Sequence, residues 1–458
     1  MGRRPVTGGV VDDDILKILE AKQEHPNAIT YDLILHTVDE DIIIRELASV
    51  ETSRDYANNI CDYIIVNFTL GLGQCVKKIL PYQDNLEMTI VTRYYDKSYT
   101  DRYKLVILSG PPSLAGTIYS SYTEIELDKM DKLLMECQCL NRLVEALRLK
   151  PCDGVYTYST VKDIIKTVMT NNINEVNIED TSVPTNFNLI QPNNDKTYRH
   201  INIPVGVRVL DLPSYLQNTD YGVYSADIGT YIQRFGYFQT DIEPTDTVFV
   251  YPLYNPGLNN SSGKRLMIFS TPSTLLAQVE HSYLIDGGVI KIIGAGNMTS
   301  NEISQGKLIN DGNAVIIANP TAIMRGGNTT TTDTVTTDKT TNLTGELLKS
   351  KRDGHNSANY VGATANQYKV YSELSKNTLS PYQVTWNYSN PELLYPGMPV
   401  SYVYEDSELG VVKLNGVLHS VFNKYSAPYK TNVTIINVLL EPYIDGTNNG
   451  NESVDVRY

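Results

Sequence analysis

The apolar residues of this chain come in strand-sized runs, and that limits the folds open to it. Thr30-Tyr31-Asp32-Leu33-Ile34-Leu35-His36, Tyr63-Ile64-Ile65-Val66-Asn67-Phe68-Thr69, Glu87 to Tyr94 and Tyr103 to Leu108 form one set. Pro, Gly and Asp-Asn pairs separate them, as hairpins and longer loops require. A second set lies near the end, with long strands expected over Val400 to Tyr404, Val411 to Phe422 and Thr431 to Leu440. The last carries Val433, Ile435 and Leu439 on one face and Ile436, Val438 and Leu440 on the other, so both sides are expected to be covered. No run approaches the roughly 20 apolar residues of a membrane-crossing helix.

Composition agrees with a mainly β protein. Of the aromatics, 33 are Tyr, 7 Phe and 1 Trp. Tyrosine fits pleated surfaces and joins apolar area to a polar tip, which suits half-wet assembly interfaces. The 458 residues suggest roughly three domains. The formal charge of −14 argues against a nucleic-acid binder, because phosphate contacts need positive charge. The N-terminal Met1-Gly2-Arg3-Arg4 is followed by Asp12-Asp13-Asp14 and no long apolar region, so a secretory signal is not expected and folding in a cytosol is.

Between the two β sets the pattern is mixed. Gly73 to Leu80 reads as one or two helical turns. Asp131 to Cys139 reads as a strand, and Leu140, Leu143, Val144 and Leu147 follow at helical spacing. Gly154 to Tyr158 is extended, and Ser159 or Thr160 caps a helix with Val161, Ile164, Ile165 and Val168 on one face. A short helix is expected at Asp211 to Leu216, a second at Ala226 to Gly236, and a strand at Thr247 to Tyr254. The Thr-rich stretch Asn328 to Asn342 lacks the apolar surface to fold alone and reads as a surface loop or a segment that orders on a partner. In the first residues, Ile15, Leu16, Ile18 and Leu19 mark a short helix in an arm that either packs on a neighbour or frays.

No constellation carries chemistry. Six histidines are scattered, and His419 reads as a hydrogen-bonded strand residue. Gly257 to Arg265 resembles a phosphate loop, but five residues separate its glycines and Arg265 stands where Ser or Thr would hold magnesium. Gly294-Ala295-Gly296 lacks the third glycine of a dinucleotide fingerprint, so a tight turn is expected. Acidic pairs such as Asp39-Glu40-Asp41 and Glu405-Asp406 read as solvated charge. The sequons at Asn67, Asn297 and Asn432 read as accidental. The five cysteines, Cys61, Cys75, Cys137, Cys139 and Cys152, read as buried free thiols. Cys137-Gln138-Cys139 is read as sending its thiols to opposite faces of a strand, which disfavours joint metal ligation. No catalytic, cofactor-binding or metal residue is therefore singled out.

Three stretches together resemble the baseplate hub proteins of contractile-tailed bacteriophages. The first is Met135 to Cys139, Ala146 to Lys150, Gly154-Val155-Tyr156 and Thr160 to Ile165; the second is Ile201 to Pro204, Leu212 to Gln217 and Val250 to Tyr254; the third is Tyr395-Pro396-Gly397-Met398-Pro399-Val400 with Leu414 to Val421. The resemblance implies two tail-tube-like β-barrels around a mixed α/β middle domain. It divides the chain into an arm at 1–26, a first barrel at 27–152, a middle domain at 153–262, a second barrel at 263–325 plus 366–442 interrupted by the 326–365 loop, and a tail at 443–458. It also implies a non-enzymatic homotrimer in the virion tail, assembled in the host cytoplasm, that joins a six-fold tube to a three-fold central spike. Its partners would be its own copies, the spike, the tube protein and baseplate wedge proteins, with genomic DNA passing through the lumen unbound. The alternatives are another tail component, tube or fibre-attachment, and a cell-wall glycan hydrolase.

Overall fold

The computed structural model describes residues 17–18, 29–94, 97–110, 119–176, 186–236, 245–254, 264–270, 283–298, 314–317, 333–335, 345–346, 358–361, 368, 379–406 and 410–441. The protein is mainly β. The first strands are β1 (Thr30–His36), β2 (Asp41–Ile44), β3 (Glu46–Asp55), β4 (Tyr63–Gly71), β5 (Glu87–Tyr94), β6 (Lys97–Ser109) and β7 (Lys132–Asn141). Arg45 alone separates β2 from β3, and the two act as one bent strand: β2 pairs with β1, and β3 pairs with β4. The order β1-β2/β3-β4-β7-β6-β5, returning to β1, closes a barrel. Its interior is apolar, with Leu33, Leu35, Val66, Phe68, Met88 and Cys137 all buried. The bent strand escapes the sequence pattern because Glu46, Glu51, Ser49, Ser53 and Arg54 interrupt it.

The middle region holds β8 (Gly154–Ser159), β9 (Asn186–Leu189), β10 (Tyr198–Ile203), β11 (Ile228–Phe235) and β12 (Thr245–Pro252). Helices Arg142–Leu147, Val161–Asn174 and Leu212–Asn218 pack around them. Thr160 is the N-cap of the long helix, its hydroxyl accepting from the Asp163 amide at 3.1 Å. Val161, Ile164, Ile165 and Val168 are buried as the spacing requires. The helix expected at Ala226 to Gly236 is instead strand β11. The reason is tertiary: β11 and β12 form a hairpin buried on both faces, with Tyr231, Phe249 and Tyr251 in the barrel core and Ile228, Ile232, Val248 and Val250 in the core of the middle region.

The last strands begin with β13 (Arg265–Ser270), β14 (Tyr283–Asp286) and β15 (Val289–Met298). The short β16 (Ala314–Ile317), β17 (Asp333–Val335), β18 (Gly345–Glu346) and β19 (Ala358–Val361) pair among themselves. Within the Thr-rich stretch, expected as a surface loop or a segment that orders on a partner, Asp333–Val335 forms β17 of a small sheet; most of 326–365, the 443–458 tail and most of the 257–265 loop lie outside the described residues. The chain ends in β20 (Ser380–Asn387), β21 (Pro399–Asp406), β22 (Gly410–Ser426) and β23 (Thr431–Leu440). These make a second closed barrel in the order β13-β15-β20-β23-β22-β21.

With each barrel's strands numbered along the chain, both rings read 1-2-3-6-5-4. Among the described strands two differences remain: β1 is antiparallel to both neighbours whereas β13 is parallel to both of its own, and β14, paired with β15 outside the ring, has no counterpart in the first barrel. Gly294-Ala295-Gly296 is not a turn but part of β15. A side chain at Gly294 would lie 2.3 Å from Val384 Cγ1, and one at Gly296 would lie 2.2 Å from Tyr402 Oη, so the glycines let neighbours cross the strand. Cys137 and Cys139 share a face and are both buried, since residues two apart on a strand point the same way.

Candidate assembly interface

The barrels are joined edge to edge. Strand β22 pairs with β21 over Gly410–Val417 and with β3 over Ser420–Ser426. The change of partner falls at His419, the extra residue of a bulge between Leu418 and Ser420. A bulge bends and twists its strand, and this one redirects β22 from its own barrel to the other. The Tyr56 amide donates to the His419 carbonyl at 3.2 Å. Burial lowers the His419 ring pKa, against the pull of Asp55, which favours the neutral ring.

The outward face of the joined sheet is continuous. One row runs Val433–Lys424–Glu51–Ile65–Gln138–Val106 across five strand pairings. Lys424 Nζ lies 2.7 Å from Glu51 Oε1. Beside it run Ile435–Phe422–Ser53–Tyr63 and Asn437–Ser420, the latter closed by a 2.8 Å bond from Asn437 Nδ2 to Ser420 Oγ. Val433 is 38% exposed, Phe422 37%, Tyr63 40% and Val106 36%. The expectation that both faces of β23 are covered therefore fails within one chain: the Ile436, Val438 and Leu440 face is buried, and the other stays half open. The apolar residues on that second face are thus not matched by burial within the chain.

Under this sheet sits a buried polar seam. Asn423 Nδ2 donates to Asn432 Oδ1 at 3.2 Å, Thr434 Oγ1 to Asn423 Oδ1 at 3.0 Å, and Asn432 Nδ2 to the Ile29 carbonyl at 3.2 Å. Every partner is satisfied inside the core, so the seam fixes register. Asn432 is wholly buried, which leaves its sequon no room for a glycan.

A second buried network ties both barrels to the β11–β12 hairpin. Arg54 Nε donates to Asp62 Oδ2 at 2.9 Å, Nη1 to the Pro391 carbonyl at 2.8 Å and Nη2 to Glu392 Oε1 at 2.9 Å. Tyr99 Oη donates to Glu392 Oε2 at 3.1 Å and Tyr231 Oη to Asp62 Oδ1 at 2.9 Å. Gln233 Nε2 donates to the Leu394 carbonyl at 2.8 Å. Burial opposes the charge on Arg54, but Asp62 and Glu392 outweigh it and raise the guanidinium pKa further. Nearby, Arg234 lies 3.2 Å from Asp101 and 3.6 Å from Asp246. Burial pushes the Asp101 carboxyl up to about 7 against the pull of Arg234.

The residues considered for chemistry do not converge. Glu40 pairs with Lys78 at 2.5 Å and Asp41 with His36 at 2.6 Å. Cys75 and Cys137 are buried, and burial pushes both thiols up to about 12, away from reactivity. Among the described residues no three His, Cys, Asp or Glu side chains gather as metal ligands, and no helix is long and apolar enough to cross a membrane. The Arg54 network was missed from sequence; its one local trace is a lone arginine inside the Val50 to Asp55 run.

No family model matches the chain, and no curated protein matches it. Solved structures do. A tail protein from Neisseria meningitidis MC58 is 11% identical with a TM-score of 0.47, over 89% of this chain and 96% of that one. The 43 kDa tail protein of prophage MuSo2 from Shewanella oneidensis is 10% identical with a TM-score of 0.45, over 89% and 98%. A type VI secretion component from E. coli, described as similar to T4 bacteriophage tail proteins, is 9% identical with a TM-score of 0.40, over 90% and 77%. Each of these solved structures is described as a tail protein or as similar to tail proteins.

Proposed function

We propose that this chain is a structural baseplate hub of a virion tail, three copies of which form a ring of six barrels between tail tube and central spike. The carrying observation is that one chain holds two closed barrels of the same strand order, joined edge to edge through β3 and β22. Two quasi-equivalent units per chain turn three-fold symmetry into six quasi-equivalent positions, which is what an adaptor between a three-fold and a six-fold neighbour needs. The open face of the joined sheet supports the reading. It mixes Ser, Asn and Gln with half-exposed Phe422, Tyr63 and Val433, the composition of a wet subunit interface.

In this reading the domain division follows the expected boundaries, the lumen passes DNA without binding it, and the wedge proteins dock outside the ring. The chain acts by shape and contact and not by catalysis. The test is the mass of the purified protein by light scattering across a concentration series, alone and with its spike. A mass three times the 51.2 kDa of the chain supports the hub. A six-fold or helical assembly without the spike favours a tube component. A monomer in every condition removes the proposal.

A further inference from the structure

The middle region carries an open strand edge. Strands β8 and β10 form a two-stranded sheet, with Gly154 opposite Ile203 and Ser159 opposite Tyr198. The second edge of β8 pairs with no strand among the described residues. Strand β10 is anchored, since Ile201 and Ile203 are buried in the core of the middle region. No residue of β8 is buried. Val155 is 65% exposed, and Val205, just past the end of β10, is 86% exposed. Proteins ordinarily guard such an edge with charge or proline. Strand β10 contains Arg199, but β8 has neither charge nor proline, and its Val155, Tyr156, Thr157 and Tyr158 favour extended pairing.

Tyr158 is a second, separate observation. Its φ is +53°, which strains a bulky side chain. Tyr156 packs against the core of the middle region, and regular alternation would send Tyr158 the same way. The left-handed backbone breaks that alternation and leaves the Tyr158 ring 74% exposed. The strain thus gains Tyr158 no place in the core, and strain of this kind collects where a ligand or partner is held.

Charge says which segment fits. Beside the Ser159–Tyr198 end stand Lys162, Lys166, Lys196 and Arg199, against two acids, Asp163 and Asp195. Asp163 is engaged in the cap of its helix with Thr160. Lys162 reaches the Gln191 amide oxygen, and Lys196 lies 5.1 Å from the centre of the Tyr198 ring, so neither is neutralised by a carboxylate. This local excess of positive charge departs from a chain whose formal charge is −14. A nucleic acid would meet the same cations but has no use for a strand edge beside Val155.

We propose that the outer edge of β8 is a docking strand that takes an extended, acidic segment of a partner protein by main-chain pairing. The added strand lies along Val155 and Thr157, and its carboxylates reach the cations at the Tyr158 end. The proposal is independent of the three-copy ring.

The test is fluorescence anisotropy with the full chain and a labelled peptide that alternates valine with glutamate over about six residues, a common strand length. The controls are the same peptide with lysine for glutamate, the glutamate peptide with alternate main-chain amides N-methylated, and a labelled single-stranded oligonucleotide. Saturable binding of the glutamate peptide is expected, about tenfold or more weaker for the lysine and N-methylated forms. Only the probes change, so the result does not depend on the folding of a variant. No binding of the glutamate peptide, or equal binding of its N-methylated form, overturns the proposal. Tighter binding of the oligonucleotide assigns the cations to phosphate and overturns it as well. Hydrogen exchange then locates the peptide: slowed exchange over residues 154–159 supports the β8 edge, and slowing only elsewhere overturns it. Arg199→Glu is expected to weaken the glutamate peptide about tenfold, and an unchanged affinity overturns the acidic character of the partner.

Discussion

Arg54 and Glu392 are 338 positions apart in the chain and 2.9 Å apart in space, Nη2 to Oε1. The pair joins the first barrel to the segment that leads into the closing strands of the second. Arg54 also holds Asp62 at 2.9 Å and the Pro391 carbonyl at 2.8 Å, so one guanidinium saturates acceptors from both barrels. A buried ion pair of this kind gives modest net stability against a hydrophobic replacement, but leaving one partner unpaired is costly.

Arg54→Met therefore strands two carboxylates beneath the junction. The expected loss is about 3–5 kcal/mol in unfolding free energy, read from a urea titration. Glu392→Gln removes one charge and keeps an acceptor, and its loss is expected to be smaller. Negligible losses from both substitutions would mean that Arg54 acts through packing alone.

Asp101 gives the junction a pH dependence. Burial raises its carboxyl from its ordinary value to about 7, with Arg234 opposing and Asp246, Glu392 and Asp62 adding to the rise. A group whose folded pKa is raised contributes stability that is present below its unfolded value, about 3.9, and lost as pH climbs through the folded value. Asp246 is raised in the same direction by burial and adds to the slope. The unfolding midpoint is thus expected to fall between about pH 4 and pH 8, and Asp101→Asn to flatten that fall. An unchanged slope in the variant would place the titration elsewhere.

The cap of the long middle helix makes a local prediction. Thr160 Oγ1 accepts from the Asp163 amide at 3.1 Å and lies 2.7 Å from Asp163 Oδ2. Thr160→Ala is expected to lower stability by about 1 kcal/mol. Thr160→Ser restores most of it, since the hydroxyl and not the methyl does the capping.

Gly296 tests the close crossing inside the second barrel. A methyl there would sit 2.2 Å from the Tyr402 hydroxyl. Gly296→Ala is expected to cost about 1–3 kcal/mol through displaced packing. Tyr402→Phe in the same chain should recover part of it, measured as a double-mutant cycle.

Phe422 tests the open face. It is partly exposed and directly opposite Ile435 and Ser53. Phe422→Thr keeps a residue suited to strands, so the single chain should lose at most about 1 kcal/mol. If the face is a subunit interface, the trimer mass disappears in light scattering while the thermal midpoint of the chain barely moves.

Much of the fold was legible locally. The runs at Thr30, Tyr63, Glu87 and Thr431 are strands beginning where the pattern places them. Thr160 caps its helix, and Ile164, Ile165 and Val168 face inward. Such signals are periodic and short-ranged, so a window of ten residues contains them. The helix assigned to residues 226–236 failed because nothing within the segment reveals that β12 lies beside it and apolar cores lie on both faces.

What the sequence alone determined is the mainly β class, through its strand-sized apolar runs; many of its tyrosines, Tyr56, Tyr231 and Tyr251 among them, lie in the cores and not on surfaces. Only the tertiary structure decided that the two sets of strands close in the same order, that β22 leaves one barrel for the other at the His419 bulge, and that Arg54 meets Glu392. The physical reason is range. Pattern and propensity record what a residue needs from its surroundings, buried or wet, extended or helical. They do not record which distant segment supplies it, and the closure and joining of the two barrels consist entirely of such distant choices.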